Sequence, residues 1–131
     1  MSDLFEAIRT TILGLAPGGV FLAQAPPKDE MGRPIPKPYA VMVDLGNSFE
    51  FTSGTPYIDT HGVQISIFSD TQAQGETVRA AMRGVLDAVK ITMPGAASCM
   101  MCLPEAEEVT REDDNVWHTR VDYTIAIFRN L

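Results

Sequence analysis

The chain has 131 residues, 45% of them hydrophobic and 21% charged. That balance supports one packed domain and excludes wholesale disorder, and no apolar run approaches the ~20 residues a membrane-spanning helix needs. The formal net charge of −7 has the wrong sign for a general grip on nucleic acid, which draws on neutralised phosphates and released counterions.

The first element read from the N-terminus is a helix. Asp3 and Glu6 stand in capping-box spacing, and Leu4, Phe5, Ile8, Ile12 and Leu15 recur on one helical face. The acidic, amphipathic start lacks the basic-then-apolar order of a secretory signal, so the chain is expected in the cytoplasm until it meets a partner. Pro17, Gly18 and Gly19 end the helix, and residues 20–23 read as a brief strand.

From residue 24 to residue 38 the composition changes. Pro26, Pro27, Pro34, Pro36 and Pro38 all fall here. Each removes a backbone donor and fixes φ, so an extended loop or arm is predicted. Lys28, Arg33 and Lys37 share this loop with Asp29 and Glu30.

Alternation then predicts a strand over 39–45, with Tyr39, Val41, Val43 and Leu45 on one face and Ala40 and Met42 on the other. Gly46, Asn47 and Ser48 read as a turn before a second short strand at 49–52. A longer strand follows over 57–69, with Gln64, Ser66 and Phe68 on its second face.

A second helix is capped by Ser69, Asp70 or Thr71. Val78, Ala81, Met82, Val85, Leu86 and Val89 form its apolar stripe. Gly75 and Gly84 each cost about 1 kcal/mol against alanine, a cost that close packing on the sheet would offset.

Two closing strands, 97–109 and 116–128, are predicted to form an antiparallel hairpin around Asp113, Asp114 and Asn115. Trp117, Thr119, Val121, Tyr123, Ile125 and Ile127 line one face of the last strand. His118, Arg120, Asp122, Thr124, Ala126 and Phe128 line the other.

The order predicts a single α+β domain over residues 1–131: a mainly antiparallel sheet with two helices packed on one face. The second face is then mixed polar and apolar, a composition suited to a protein contact.

The chemical constellations read as bland. Cys99 and Cys102 lie in a strand, where residues three apart point to opposite faces and cannot share a metal or close a bond. His61 and His118 read as outward polar sheet positions, with Asp59 on the same strand face as His61. The acidic stretch 105–114 lacks the pattern of a calcium loop and reads as a solvated turn or an electrostatic docking surface. No catalytic, cofactor or metal site is predicted, and no enzymatic activity.

The succession of an N-terminal helix, a strand led by Pro38 and Tyr39, the run HGVQISIFSDT (61–71) entering a long amphipathic helix, and the closing run VWHTRVDYTIAI (116–127) resembles the tail terminator or tail completion family of long-tailed phages and prophages. The resemblance implies a structural minor tail protein without cofactor. It would cap the growing tail tube and stop its polymerisation, and then form the head-proximal ring that joins tail to head connector. It implies a hexameric ring of identical subunits closed by heterologous contacts. The implied partners are tube protein and connector protein, with DNA only as passing cargo and no membrane. The implied place is the virion tail, after assembly in the bacterial host cytoplasm.

The candidate partner contacts are Lys28, Arg33, Lys37, Phe68, His118, Arg120 and Phe128. Glu107, Glu108, Asp113 and Asp114 are the candidate acidic lumen or docking surface. The proline-rich loop departs from the resemblance and is expected to be a docking arm that orders on contact. The alternative is a small ligand-binding or regulatory α+β domain, which needs an apolar cavity with convergent polar groups.

Overall fold

The computed structural model describes residues 2–25, 32–51, 56–87, 91–95, 97–112 and 116–129. These residues form a five-stranded sheet with two α-helices on one face. The α+β class and the antiparallel predominance are as predicted.

Helix α1 (Ser2–Ile12) buries Leu4, Phe5, Ile8 and Ile12. A 3₁₀ turn over Leu13–Leu15 extends it. Asp3 lies inside the first turn rather than before it, so it is not half of a capping box. Its Oδ1 accepts from the Leu4 amide at 2.8 Å, and Glu6 pairs at 3.8 Å with Arg9. Arg9 Nε also donates to the Val20 carbonyl at 3.0 Å, tying α1 to the first strand.

Strand β1 (Val20–Leu22) runs parallel to β2 (Tyr39–Phe51) over Ala40 to Met42. Strand β3 (Tyr57–Ser69) follows, then helix α2 (Gln72–Leu86) and the strands β4 (Ala97–Arg111) and β5 (Trp117–Arg129). The sheet order is β1-β2-β3-β5-β4, antiparallel beyond the first pair. Lys37 and Pro38 bring the chain back from the proline-rich segment, and the Gly18 amide donates to the Pro38 carbonyl at 2.8 Å.

β2 differs from its prediction in two ways. The expected turn at Gly46 is a bulge inside one continuous strand, between Asp44 and Gly46. Gly46 takes φ +108° there, a backbone position open to glycine without strain, and its amide donates to Asp44 Oδ1 at 2.8 Å. The faces are also exchanged. Ala40 and Met42 enter the helix-covered core, while Tyr39, Val41 and Val43 lie on the other face. Both sets are apolar, so alternation alone leaves the side undecided.

α2 is capped by Thr71, whose hydroxyl accepts from the Gln74 amide at 3.1 Å. Gly75, Val78, Met82 and Leu86 are buried, whereas Ala81 faces solvent. Val89 lies outside the described residues. Gly75 sits against the sheet, but Gly84 has open space beside it.

In β4 the alternation argument for the cysteines fails. A bulge between Cys99 and Met101 adds a residue, so Cys99 and Cys102 both turn into the core. Both are free and buried. Burial, with Cys99 nearby, pushes the Cys102 thiol up to about 12, so it stays protonated and inert.

Candidate functional site: the open face of the sheet

The two helices leave one side of the sheet to its own side chains. Alternation along antiparallel strands stacks every second residue of β2, β3 and β5 into rows across this side. The first row is aromatic. Phe21 meets Tyr39 edge-on at 6.2 Å between ring centres, Tyr39 stacks on Phe68 at 5.2 Å, and Phe68 stacks on His118 at 4.7 Å. The row therefore crosses from β1 to β5. All four residues are only half-buried. His118 Nδ1 lies 2.9 Å from Glu112 Oε1, which holds the imidazole parallel to the Phe68 ring.

The next rows are ionic and polar. Arg120 is paired with Glu108 at 3.0 Å and with Asp122 at 3.5 Å. Gln64 Nε2 donates to Ser66 Oγ at 3.2 Å. Residues 23–25 overhang this side and leave a hollow of about 360 Å³ floored by Val41, Val43, Ser66, Phe68 and His118. Among the described residues, no three His, Cys, Asp or Glu side chains come together as a metal site.

The covered side carries a second cluster. His61 is fully buried, not outward, and its Nε2 lies 2.7 Å from Asp59 Oδ2. Arg129 Nε donates to the same oxygen at 2.9 Å, and Arg129 Nη1 donates to Asp3 Oδ2 at 2.9 Å. Asn47 completes the set, donating to Asp59 Oδ1 at 3.1 Å. Burial alone would raise the Asp59 carboxyl. The donors Asn47, His61 and Arg129 outweigh it and hold the group below the usual carboxylate range. The cluster pins the start of α1 to the end of β5 and reads as a structural clasp.

The model for the family described as tail completion protein gp17 matches residues 6–127. The chain belongs to that tail completion family. No curated protein matches it at a significant level. A chain from the solved virion of a native gene transfer agent particle shares the fold, with a TM-score of 0.68 and 14% identity over 98% of this chain and 93% of that one. This tail completion protein is a structural component of the phage tail, located in the virion among other tail components.

The predicted site residues of the tail completion protein fall in several places. Phe68, His118 and Arg120 come together on the open face. Phe128 is on the same face but at its far end, opposite Ile58 and Ser98. Lys37 pairs with Asp70 at 3.7 Å, and Arg33 is exposed. Lys28, Asp113 and Asp114 lie outside the described residues. Glu107 and Glu108 turn opposite ways. Glu108 joins Arg120, while Glu107 accepts from Arg79 at 2.9 Å and Arg83 at 2.7 Å and straps α2 to β4. Phe21 and Tyr39 were not among the predicted contacts. Their signal was weak, because each sits in a short or proline-flanked strand of undecided facing.

Proposed function

We propose that this tail protein terminates the tail tube and closes as a hexameric ring at the head-proximal end, where it joins the tail to the head connector. The supporting observation is the aromatic row Phe21, Tyr39, Phe68 and His118. It is half-exposed on a sheet face that, among the described residues, no helix covers. Such a row gains free energy when a neighbouring surface removes it from water. Arg120 with Glu108 and Asp122 supplies a polar rim beside it.

In the ring, one subunit's open face meets a different surface of the next, and rotation closes the circle. Arg33, Lys37 and Phe128 serve as further contacts, with Lys28 on the same proline-rich arm. Glu108, Asp113 and Asp114 contribute negative charge toward passing DNA, and like-sign repulsion keeps the cargo sliding. Glu107 and Glu108 contribute less to that field than Asp113 and Asp114, since Arg79 and Arg83 neutralise the first and Arg120 pairs with the second. The role requires no turnover.

Deleting the gene in a producing strain tests the reading. Electron micrographs are expected to show tails of uncontrolled length and heads without tails. Complementation with Phe68→Ala plus His118→Ala is expected to fail while the protein remains folded. Tails of normal length, normally joined, in the deletion strain would refute the proposal.

A further inference from the structure

The two edges of the sheet are guarded unequally. On one side β4 carries Pro104, bulges between Cys99 and Met101 and between Pro104 and Ala106, and the glutamates Glu105 and Glu108. Proline removes a donor, bulges break the register, and charge repels a neighbour, so this edge resists pairing.

On the other side β1 reaches only Ala40 to Met42. Residues 43–51 of β2 have β3 on one flank and, among the described residues, no strand on the other. Their outward amides and carbonyls are a template for an added strand. Three large apolar side chains stand out along it beside polar ones: Leu45 is 53% exposed, Phe49 55% and Phe51 72%. Phe49, Phe51 and Tyr57 lean on one another at 5.6–6.3 Å between ring centres. Asp44 and Glu50 stand near its two ends, and the stretch contains no lysine or arginine.

We propose that the free edge of β2, residues 43–51, receives an extended segment of a different protein chain, one apolar along its length and basic at its ends. A second copy of this chain fits worse. Antiparallel pairing of β2 with itself about Asn47, the register that overlaps the whole edge, sets Asp44 against Glu50, and like charges directly opposed destabilise a pair. The copy's β4 offers glutamates and a proline. Basic ends on the incoming strand instead meet both carboxylates. The proposal is independent of ring closure, which uses the open face.

The test uses the intact protein and two peptides of about nine residues, the ordinary length of a strand. Each has an alternating valine–threonine core, one ending in lysines and the other in glutamates. Backbone NMR is expected to show the lysine-ended peptide shifting residues 43–51 and slowing their amide exchange. Its Kd is expected to be about tenfold lower than that of the glutamate-ended peptide, the scale of a few exposed ion pairs gained or reversed. Asp44→Asn with Glu50→Gln should erase the preference while leaving the fold intact.

The proposal is overturned if neither peptide touches 43–51 at millimolar concentration, if both bind equally, or if binding maps to β4. It is also overturned if the protein alone protects 43–51 as its concentration rises, because the occupant is then a second copy. Failure here with mis-terminated tails in the deletion strain would leave the tail-terminating role standing.

Discussion

The covered and open faces of this sheet use the same strands, yet they are held by different physics. On the covered face of β3 and β5, Ile65, Ile67, Val121, Tyr123, Ile125 and Ile127 are at most 3% exposed. Each such side chain contributes roughly 1.5–3 kcal/mol through non-directional burial. One residue along, Phe68, His118, Arg120 and Asp122 are half-buried and held by stacking and ion pairs. Exposed pairs of this kind contribute about 0.2–1 kcal/mol. The covered face therefore makes the fold, and the open face is free to be spent on contact with another molecule.

Substitutions that separate folding from assembly sharpen that contrast. The largest stability loss is expected from Ile65→Ala or Ile127→Ala, about 2–5 kcal/mol by urea denaturation, because each leaves a cavity under the helices. A loss below about 1 kcal/mol would mean that the covered face is not the core. Arg129→Ala comes next, at about 2–3 kcal/mol, since it removes the arginine from the Asp59 carboxylate, 4% exposed, leaving Asn47 and His61 as its donors, and frees the start of α1.

Gly75→Ala is expected to cost about 1–3 kcal/mol. A Cβ there would stand 2.7 Å from Thr119 Oγ1 and 2.8 Å from Ser69 Oγ, inside the helix–sheet contact. Gly84→Ala, on the solvent side of the same helix, has open space and is expected to stabilise by about 0.5–1 kcal/mol. If the two glycines behave alike, the seating of α2 on the sheet is wrong.

The acid limb of stability reports the clasp. The hydrogen bond from Arg129 outweighs burial and lowers the Asp3 carboxyl from 3.8 to about 2. Its folded value lies below its unfolded one, so its contribution is complete above about pH 4 and disappears as pH falls toward 2. Asp3→Asn is expected to flatten that part of the stability–pH curve; an unchanged slope would show that Arg129 does not hold Asp3.

The smallest stability effect belongs to the open face. Phe68→Ala is expected to change unfolding free energy by about 1 kcal/mol or less while abolishing complementation in the deletion strain. A stability loss as large as that of Ile65→Ala would place Phe68 in the core instead.

Much of this architecture was legible along the chain, and the failures share a cause. The limits of β3 and the two faces of β5 followed from period and polarity, as did Val78, Met82 and Leu86 in the α2 stripe, though not Ala81, which faces solvent. The facing of β2 did not, since Tyr39, Val41, Ala40 and Met42 are all apolar. The cysteines were misread because a bulge shifts the count by one, and a bulge is set by the partner strand. His61 was misplaced outward because its burial depends on Arg129 and Asp59, supplied through pairing of β3 with β5. The sharing of Arg129 with Asp3 is a contact across almost the whole chain.

On the open face, the placement of Phe68, His118 and Arg120 followed from alternation, which sets them opposite the apolar residues of β3 and β5. Phe21 and Tyr39 were joined to them only by strand order, which put β1 and β2 on the Phe68 side of the sheet.

By itself, the sequence determined both helices, most strands, the α+β class and the existence of a mixed sheet face, because those follow from local propensity and periodicity. Tertiary structure alone decided which face of β2 is covered, which arginines Glu107 and Glu108 meet and where, among the described residues, a strand edge lies bare. Those are outcomes of pairing between segments far apart in the chain, and no local pattern encodes the partner.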